Sequence, residues 1–128
     1  MCNYLRHSMH LLFLLALLFV ASSNGLAQSE ERFAELDQYA AATPMQYTRS
    51  IDTLVSYLMI PATNQREKAR LIYSWLAHHI RYDDRAYNAR KTSDFSSSLV
   101  LKNKRGVCLG YAMLFEAMGT EAGLNVRT

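Results

Sequence analysis

The sequence lacks an apolar run long enough to span a membrane. Its longest such run covers residues 11–21, whereas a transmembrane helix needs about 20 apolar residues. The run follows Arg6 in a segment without acidic residues, and Gly25-Leu26-Ala27 then offers small residues for cleavage. This combination is typical of a secretory signal peptide over residues 1–27. We therefore expect a secreted or periplasmic protein of the cell envelope that keeps no stable membrane anchor after cleavage.

Cysteine is also scarce. It occurs only as Cys2 and Cys108, and removal of the leader would leave Cys108 alone. Exported proteins usually pair their thiols, so a single thiol is a buried small side chain, half of an intermolecular bridge or a reactive group. The cysteine count by itself leaves these three roles open.

The sequence also lacks a cluster of residues that carry the same charge. The net charge is +3, and the basic residues are scattered among acidic ones, so nucleic acid is not an expected partner. His7 and His10 fall in the predicted leader, while His78 and His79 are adjacent and would point about 100° apart on a helix. Two such ligands do not make a zinc site. We expect no metal and no cofactor.

Residues 104–115 are the most informative stretch of the sequence. It is a basic, glycine-marked turn that runs into an apolar helical pattern, with Cys108 at the junction. The unpaired N–H groups and the positive dipole end of a helix start favour the thiolate over the thiol, and Lys102, Lys104 and Arg105 should act in the same direction. The backbone N–H of Cys108 is the natural first oxyanion donor. This geometry is suited to a nucleophilic role for the Cys108 sulfur.

The same residues carry a resemblance to a known family. Gly106-Val107-Cys108 and Gly110-Tyr111-Ala112 resemble the nucleophile segment of the transglutaminase-like superfamily, particularly its bacterial and kyphoscoliosis-peptidase-like branch. Lys68 to Leu76, followed by His79-Ile80-Arg81-Tyr82-Asp83, resembles the helix and Tyr-Asp ending that precede the nucleophile there. The resemblance covers residues 63–128. It implies an α+β fold with a papain-like core, in which Cys108 is the catalytic nucleophile toward an amide of a protein or peptide substrate.

In that family a histidine and an aspartate follow the cysteine on later strands. No histidine lies between Cys108 and Thr128, so the resemblance implies that the chain presents the mostly helical first half of the domain and is inactive alone. Hydrolysis and acyl transfer stay open, because acceptor access depends on segments without a motif here. The alternative function is a non-catalytic binding or structural module of the cell envelope with a buried Cys108. A truncated gene product is a second alternative.

Two amphipathic patterns in residues 28–60 predict an N-terminal helical hairpin. The first helix is expected over Glu30–Ala42. Thr43 and Gln46 form a Thr-x-x-Gln capping box, with Pro44 at the first helical position, which predicts that a second helix starts at Thr43. Apolar stripes at helical spacing favour a core role for this hairpin, and a docking arm for a partner is the alternative.

Residues 61–128 are interpreted as the partial transglutaminase-like domain. Asn64 and Glu67 predict the start of a third helix, a polar loop is expected over 87–98, and Gly123 should end the Cys108 helix before a strand over 124–128. The side chains expected to be buried are Ala69, Ile72, Tyr73, Leu76 and Ile80 in the third helix and Ala112, Phe115 and Met118 in the Cys108 helix. Trp75 is expected to be a large core residue, and lining a substrate groove is the alternative.

Three further expectations concern how these elements meet. Arg66, Lys68 and Arg70 should form a solvated face. The apolar segment 99–101 should anchor the approach to Cys108. The third helix and the Cys108 helix should pack together with the sulfur near the surface and an uncovered apolar band beside Val126.

Overall fold

The computed structural model describes residues 28–88 and 96–127. The predicted signal peptide and most of the predicted polar loop lie outside the described residues. The chain divides into two compact units, residues 1–34 and 35–128. The described part of the first unit, residues 28–34, is helical, and the features discussed below belong to the second unit.

The described residues are mostly helical. Helix α1 covers residues 28–41, and the later helices are a short 3-10 helix at Met45–Arg49, α2 (Ile51–Leu58), α3 (Gln65–His79), α4 (Asp84–Asn88), α5 (Ser97–Asn103) and α6 (Cys108–Glu121). The strands β1 (Arg81–Tyr82) and β2 (Arg105–Gly106) pair in parallel and form the one sheet within residues 28–88 and 96–127. None of the helices in the described part of the chain has the length and apolar character needed to cross a bilayer.

The predicted capping box of the second helix is wrong. The Thr43 hydroxyl donates to the Ala40 carbonyl at 2.7 Å, so it is committed to the last turn of α1 and does not cap the element that follows. The 3-10 helix comes next, and Ser50, in an extended conformation with φ −143° and ψ 160°, separates it from α2. A hydroxyl between two helices can bond to the end of the first or to the start of the second, and the Thr43 hydroxyl bonds to the end of α1.

The predicted start of α3 is confirmed. The Asn64 side chain accepts a hydrogen bond from the Glu67 N–H at 3.0 Å. The buried Glu67 carboxylate in turn accepts from the backbone N–H and the hydroxyl of Thr63, at 2.9 and 3.0 Å. These reciprocal bonds satisfy donors that the helix itself leaves unpaired and fix where α3 begins.

The core lies where α2, α3 and α6 pack together, as expected for α3 and α6. Tyr73 is 61% exposed, contrary to the prediction, whereas Leu71 and Trp75 are fully buried. Because α3 packs against both α2 and α6, its buried face is wide and centres on Leu71, Ile72, Trp75 and Leu76. Tyr73 lies outside this face and lines the open groove between α3 and α6. Trp75 is therefore a core residue, as predicted.

The buried face of α6 also differs from the prediction. Met118 is fully buried as expected, but Ala112 and Phe115 are only half-buried, and Leu114 takes the central place. Among the residues that the structure describes, Tyr73, Leu76 and Ala77 of α3 face the half-buried side of α6 across an open groove. The two predicted side chains therefore line this groove.

The C-terminal end of α6 is a Schellman motif. Gly123 has φ +75°, its N–H bonds to the Thr120 carbonyl at 3.0 Å, and the Leu124 N–H bonds to the Gly119 carbonyl at 2.8 Å, which confirms the predicted stop. The predicted strand does not form in the described residues 124–127. Instead Val126 folds back over Gly119, where a Cβ would lie only 2.5 Å from a Val126 methyl carbon.

Two of the basic residues expected on a solvated face are engaged in tertiary contacts. The Lys68 ammonium donates to the Ala122 carbonyl at 2.8 Å and so ties α3 to the end of α6. Arg70 forms a bidentate pair with Asp37 of α1, with Nε at 2.7 Å from Oδ1. Their charges therefore stabilise helix packing.

Candidate active site

The two short strands hold the end of α3 against the segment that leads into Cys108. Tyr82 is the register partner of Gly106, two residues before the cysteine. The Arg81 N–H donates to the Lys104 carbonyl at 2.9 Å, and the Asp83 N–H donates to the Gly106 carbonyl at 3.0 Å. These backbone bonds fix the position of Cys108 relative to α3.

The approach to Cys108 is anchored from the other side by α5. Val100 and Leu101 are buried, which confirms the predicted anchor. The Val100 methyl groups lie so close to two glycines that a Cβ on Gly106 would be 3.2 Å away, and one on Gly110 3.0 Å away. Both positions therefore favour glycine because Val100 occupies the space that a side chain would need.

Cys108 is the first residue of α6, as predicted. Val107 precedes it in an extended conformation, with φ −90° and ψ 179°, and makes no side-chain cap. The first hydrogen bond inside the helix runs from the Tyr111 N–H to the Val107 carbonyl at 3.0 Å, so the N–H groups of residues 108–110 have no acceptor in the helix. The thiol is free and exposed. An exposed sulfur thus lies beside backbone donors that the helix itself does not pair.

Tyr82 of β1 is close to two other tyrosine rings near Cys108. The Tyr82 ring centre lies 6.2 Å from that of Tyr87 and 6.4 Å from that of Tyr111. Desolvation, and then the negative charge of a Cys108 thiolate, raise the pKa of Tyr82, while a hydrogen bond from the Cys108 N–H acts in the opposite direction. The Tyr82 phenol therefore lies next to both the thiol and its backbone donor. The sequence predicted no role for Tyr82 at the site, because 26 residues separate it from Cys108.

The predicted contribution of Lys104 to thiolate formation needs correction. Lys104 ends α5 in a left-handed conformation, with φ 53°, and its ammonium lies 4.8 Å from the centre of the Trp75 ring. Burial there lowers the pKa of Lys104. The Lys104 charge thus lies against the Trp75 ring. Lys102 and Arg105 are exposed cations near the start of α6.

Comparisons with known proteins identify the family of this chain. The family model described as the transglutaminase-like superfamily matches residues 52–128, which begin at the second residue of α2 and include α3 to α6 with Cys108. The chain belongs to this superfamily. It is 32% identical to human kyphoscoliosis peptidase over 108 residues, 84% of the chain, and 34% identical to the mouse protein of the same name over 96 residues, 75% of the chain. It spans only 16% and 14% of the length of these relatives. No solved structure matches the chain.

The histidines of the transglutaminase-like domain bond to their own helix. His78 Nδ1 bonds to the Ser74 carbonyl at 2.8 Å, and His79 Nδ1 bonds to the Trp75 carbonyl at 3.0 Å. The His79 ring also stacks on Trp75 at 4.9 Å, and burial, with a smaller effect of Lys104, lowers the pKa of His79. In the described ranges, neither ring forms a hydrogen bond to Cys108, so the structure assigns neither as its base.

Among the residues that the structure describes, open grooves lie on two sides of α6. One, of about 420 Å³, lies between the less buried sides of α3 and α6 and is lined by Tyr73, Leu76, Ala77, Tyr111, Ala112 and Phe115. The other, of about 470 Å³, is lined by Phe115, Leu124, Val126 and neighbouring residues, which agrees with the expected apolar band beside Val126. Across residues 28–88 and 96–127, no group of three or more His, Cys, Asp or Glu side chains is placed to hold a metal ion.

Proposed function

We propose that this protein is a cysteine-dependent amide hydrolase or acyltransferase with Cys108 as the nucleophile. The observation that carries the proposal is the exposed thiol at the first residue of α6, beside N–H groups that the helix leaves unpaired. Membership of the superfamily makes cysteine-based catalysis the expected chemistry. The proposed substrate is a protein or peptide.

The reaction follows from the chemistry of a thiolate at this position. The Cys108 sulfur attacks the amide carbonyl carbon, a C–S bond forms, and the carbonyl oxygen takes up negative charge that the Cys108 N–H can stabilise. Collapse of this intermediate breaks the C–N bond, and the leaving amine takes a proton. The resulting thioester passes its acyl group to water, giving an acid, or to an amine, giving a new amide. The resemblance assigns the proton transfers to a histidine and an aspartate after the cysteine.

One observation supports the enzyme over the alternative of a non-catalytic envelope module, and another bears on which reaction the enzyme catalyses. That alternative requires a buried cysteine, but Cys108 is exposed. Both relatives compared above are named peptidases, which favours hydrolysis over acyl transfer.

The test uses the full-length protein with a mixture of unstructured peptides as substrate. We expect new peptide termini from hydrolysis, or incorporation of an added primary amine from transfer. Hydroxylamine, which cleaves thioesters, should release the acyl group as a hydroxamate. Cys108→Ala should abolish all three signals, a loss of at least about 10³-fold.

Cys2→Ser in the unprocessed chain is the matched control, because it removes the thiol of the predicted leader and should keep full activity. Activity that survives in Cys108→Ala, or an acyl group that mass spectrometry places on another residue, would exclude Cys108 as the nucleophile.

We also propose that the protein is exported with residues 1–27 removed. The support is the sequence pattern around Arg6, the apolar run and Gly25-Leu26-Ala27. N-terminal sequencing of the protein from the secreted or periplasmic fraction should read from Gln28. Recovery of a chain that still begins at Met1 would contradict this proposal.

A further inference from the structure

The β1–β2 ladder has two chemically different faces. Arg81 and Arg105 are register partners, and so are Tyr82 and Gly106. Side chains alternate across a strand, so the two arginines share one face while Tyr82 projects from the other. The tyrosine face belongs to the Cys108 site described above. The arginine face is separate from it.

The arginine face forms one wall of a polar cavity. The cavity has a volume of about 430 Å³ and is lined by His78, His79, Arg81, Asn103, Lys104 and Arg105. The histidines come from the end of α3, and Asn103 and Lys104 come from the end of α5. Three elements therefore converge on it, and its shape depends on the tertiary fold.

The charge of this cavity is unbalanced. Arg81 and Arg105 are held side by side by the strand register, although like charges directly opposite each other on a sheet are destabilising. None of the lining residues is acidic. The Lys104 ammonium also lines this cavity, and within the described residues it is buried without a hydrogen-bond partner. A bound anion would offset this repulsion.

The free hydrogen-bonding groups point to the kind of anion. Each arginine offers a planar fork of N–H donors that matches an oxyanion, and Asn103 adds an amide. The Nδ1 atoms of His78 and His79 face backbone carbonyls, so they carry the hydrogens, and the Nε2 atom of each neutral ring is an acceptor. A protonated phosphate oxygen can donate to such an acceptor, whereas fully ionised sulfate cannot.

We propose that this cavity is a binding site for a phosphate group, held by Arg81 and Arg105. The inference does not depend on the chemistry of Cys108. The cavity has room for more than the ion, so the phosphate can be free or carried on a larger molecule.

The experiment titrates the full-length protein with inorganic phosphate by calorimetry and by thermal unfolding, at constant ionic strength set with sodium chloride. Phosphate should bind with saturation and raise the unfolding temperature, whereas chloride should not. The double variant Arg81→Gln/Arg105→Gln should bind phosphate at least tenfold more weakly. The matched variant Arg85→Gln/Arg127→Gln loses the same charge at exposed residues outside the cavity and should bind within twofold of wild type.

A second variant pair keeps the proposal testable if loss of both arginines impairs folding. Asn103→Asp places a carboxylate inside the cavity and should weaken phosphate binding at least tenfold, while Asn125→Asp at an exposed residue outside the cavity should not. Sulfate, titrated in parallel, should bind more weakly than phosphate, and equal binding of the two anions would overturn the assignment of the site to phosphate. An equal loss in both members of a pair, or no saturable binding, would overturn the proposal.

O-phosphoserine, titrated in parallel, identifies the source of the group. Binding as tight as that of inorganic phosphate supports a site for a phosphate carried on a larger molecule. Binding at least tenfold weaker supports a site for the free ion.

Discussion

The Tyr111 hydroxyl donates a hydrogen bond to the backbone carbonyl of Ile80, which joins the first turn of α6 to the residue between α3 and β1. Ile80 is buried, and burial also raises the pKa of Tyr111. The bond thus holds the Cys108 helix and the strand that carries Tyr82 in a fixed relation.

Tyr111→Phe should lower the free energy of unfolding by about 1–2 kcal/mol, because it leaves the Ile80 carbonyl without this donor. Chemical denaturation measures the change. Tyr73→Phe is the control, since Tyr73 is exposed on α3, and it should stay within about 0.5 kcal/mol of wild type. Equal effects of the two variants would show that the Tyr111 bond adds nothing to stability.

Gly110→Ala should lower stability by about 1–3 kcal/mol, because the new Cβ would meet the buried, β-branched Val100 at 3.0 Å. This cost opposes the gain of about 1 kcal/mol that alanine usually brings to a helix. Adding Val100→Ala should relieve the clash, so the double variant should be more stable than the sum of the single effects predicts. If the two changes in unfolding free energy simply add when measured by denaturant unfolding, the proposed clash between the new Cβ at position 110 and Val100 is wrong.

Asn64→Ala should destabilise the protein by about 0.5–2 kcal/mol, because it removes the side-chain cap of α3. Ser50→Ala is a matched test, since Ser50 occupies the same position before α2 but makes no capping bond. Its effect should stay within about 0.5 kcal/mol. Thermal unfolding of both variants compares them, and a larger effect at Ser50 would contradict the capping assignment.

The Asp37–Arg70 pair should make stability depend on pH. The hydrogen bond from Arg70, aided by its charge, lowers the pKa of Asp37 below its usual 3.8. The stabilisation is therefore fully present above about pH 4 and is lost as the pH falls through the lowered folded value. Both side chains are partly exposed, so the contribution should be less than about 1 kcal/mol.

Asp37→Asn measures this contribution. The difference in unfolding free energy from wild type should be constant between about pH 7 and 5 and should shrink in stronger acid. Arg70→Gln should give a similar difference, and the double variant should cost little more than either alone. A difference that grows as the pH falls would refute the sign of the effect.

The features that the sequence determined by itself are local. Asn64 and Glu67 are three residues apart, and Gly123 directly follows α6, so the bonds that start α3 and end α6 lie within one helical turn. The place of Cys108 at a helix start follows from the glycine-marked turn before it for the same reason. Even a local pattern fails where two helices compete for one hydroxyl, as at Thr43.

The tertiary structure alone decided which distant residues surround Cys108. Tyr82 lies beside the cysteine because parallel pairing fixes its register against Gly106, and no spacing in the sequence encodes that pairing. Lys104 was expected to act on the thiol, but its left-handed conformation and the apolar face of Trp75 draw the ammonium inward. The exposure of Tyr73 likewise depends on α3 having two neighbours, because the direction of burial on a helix is set by what packs against it.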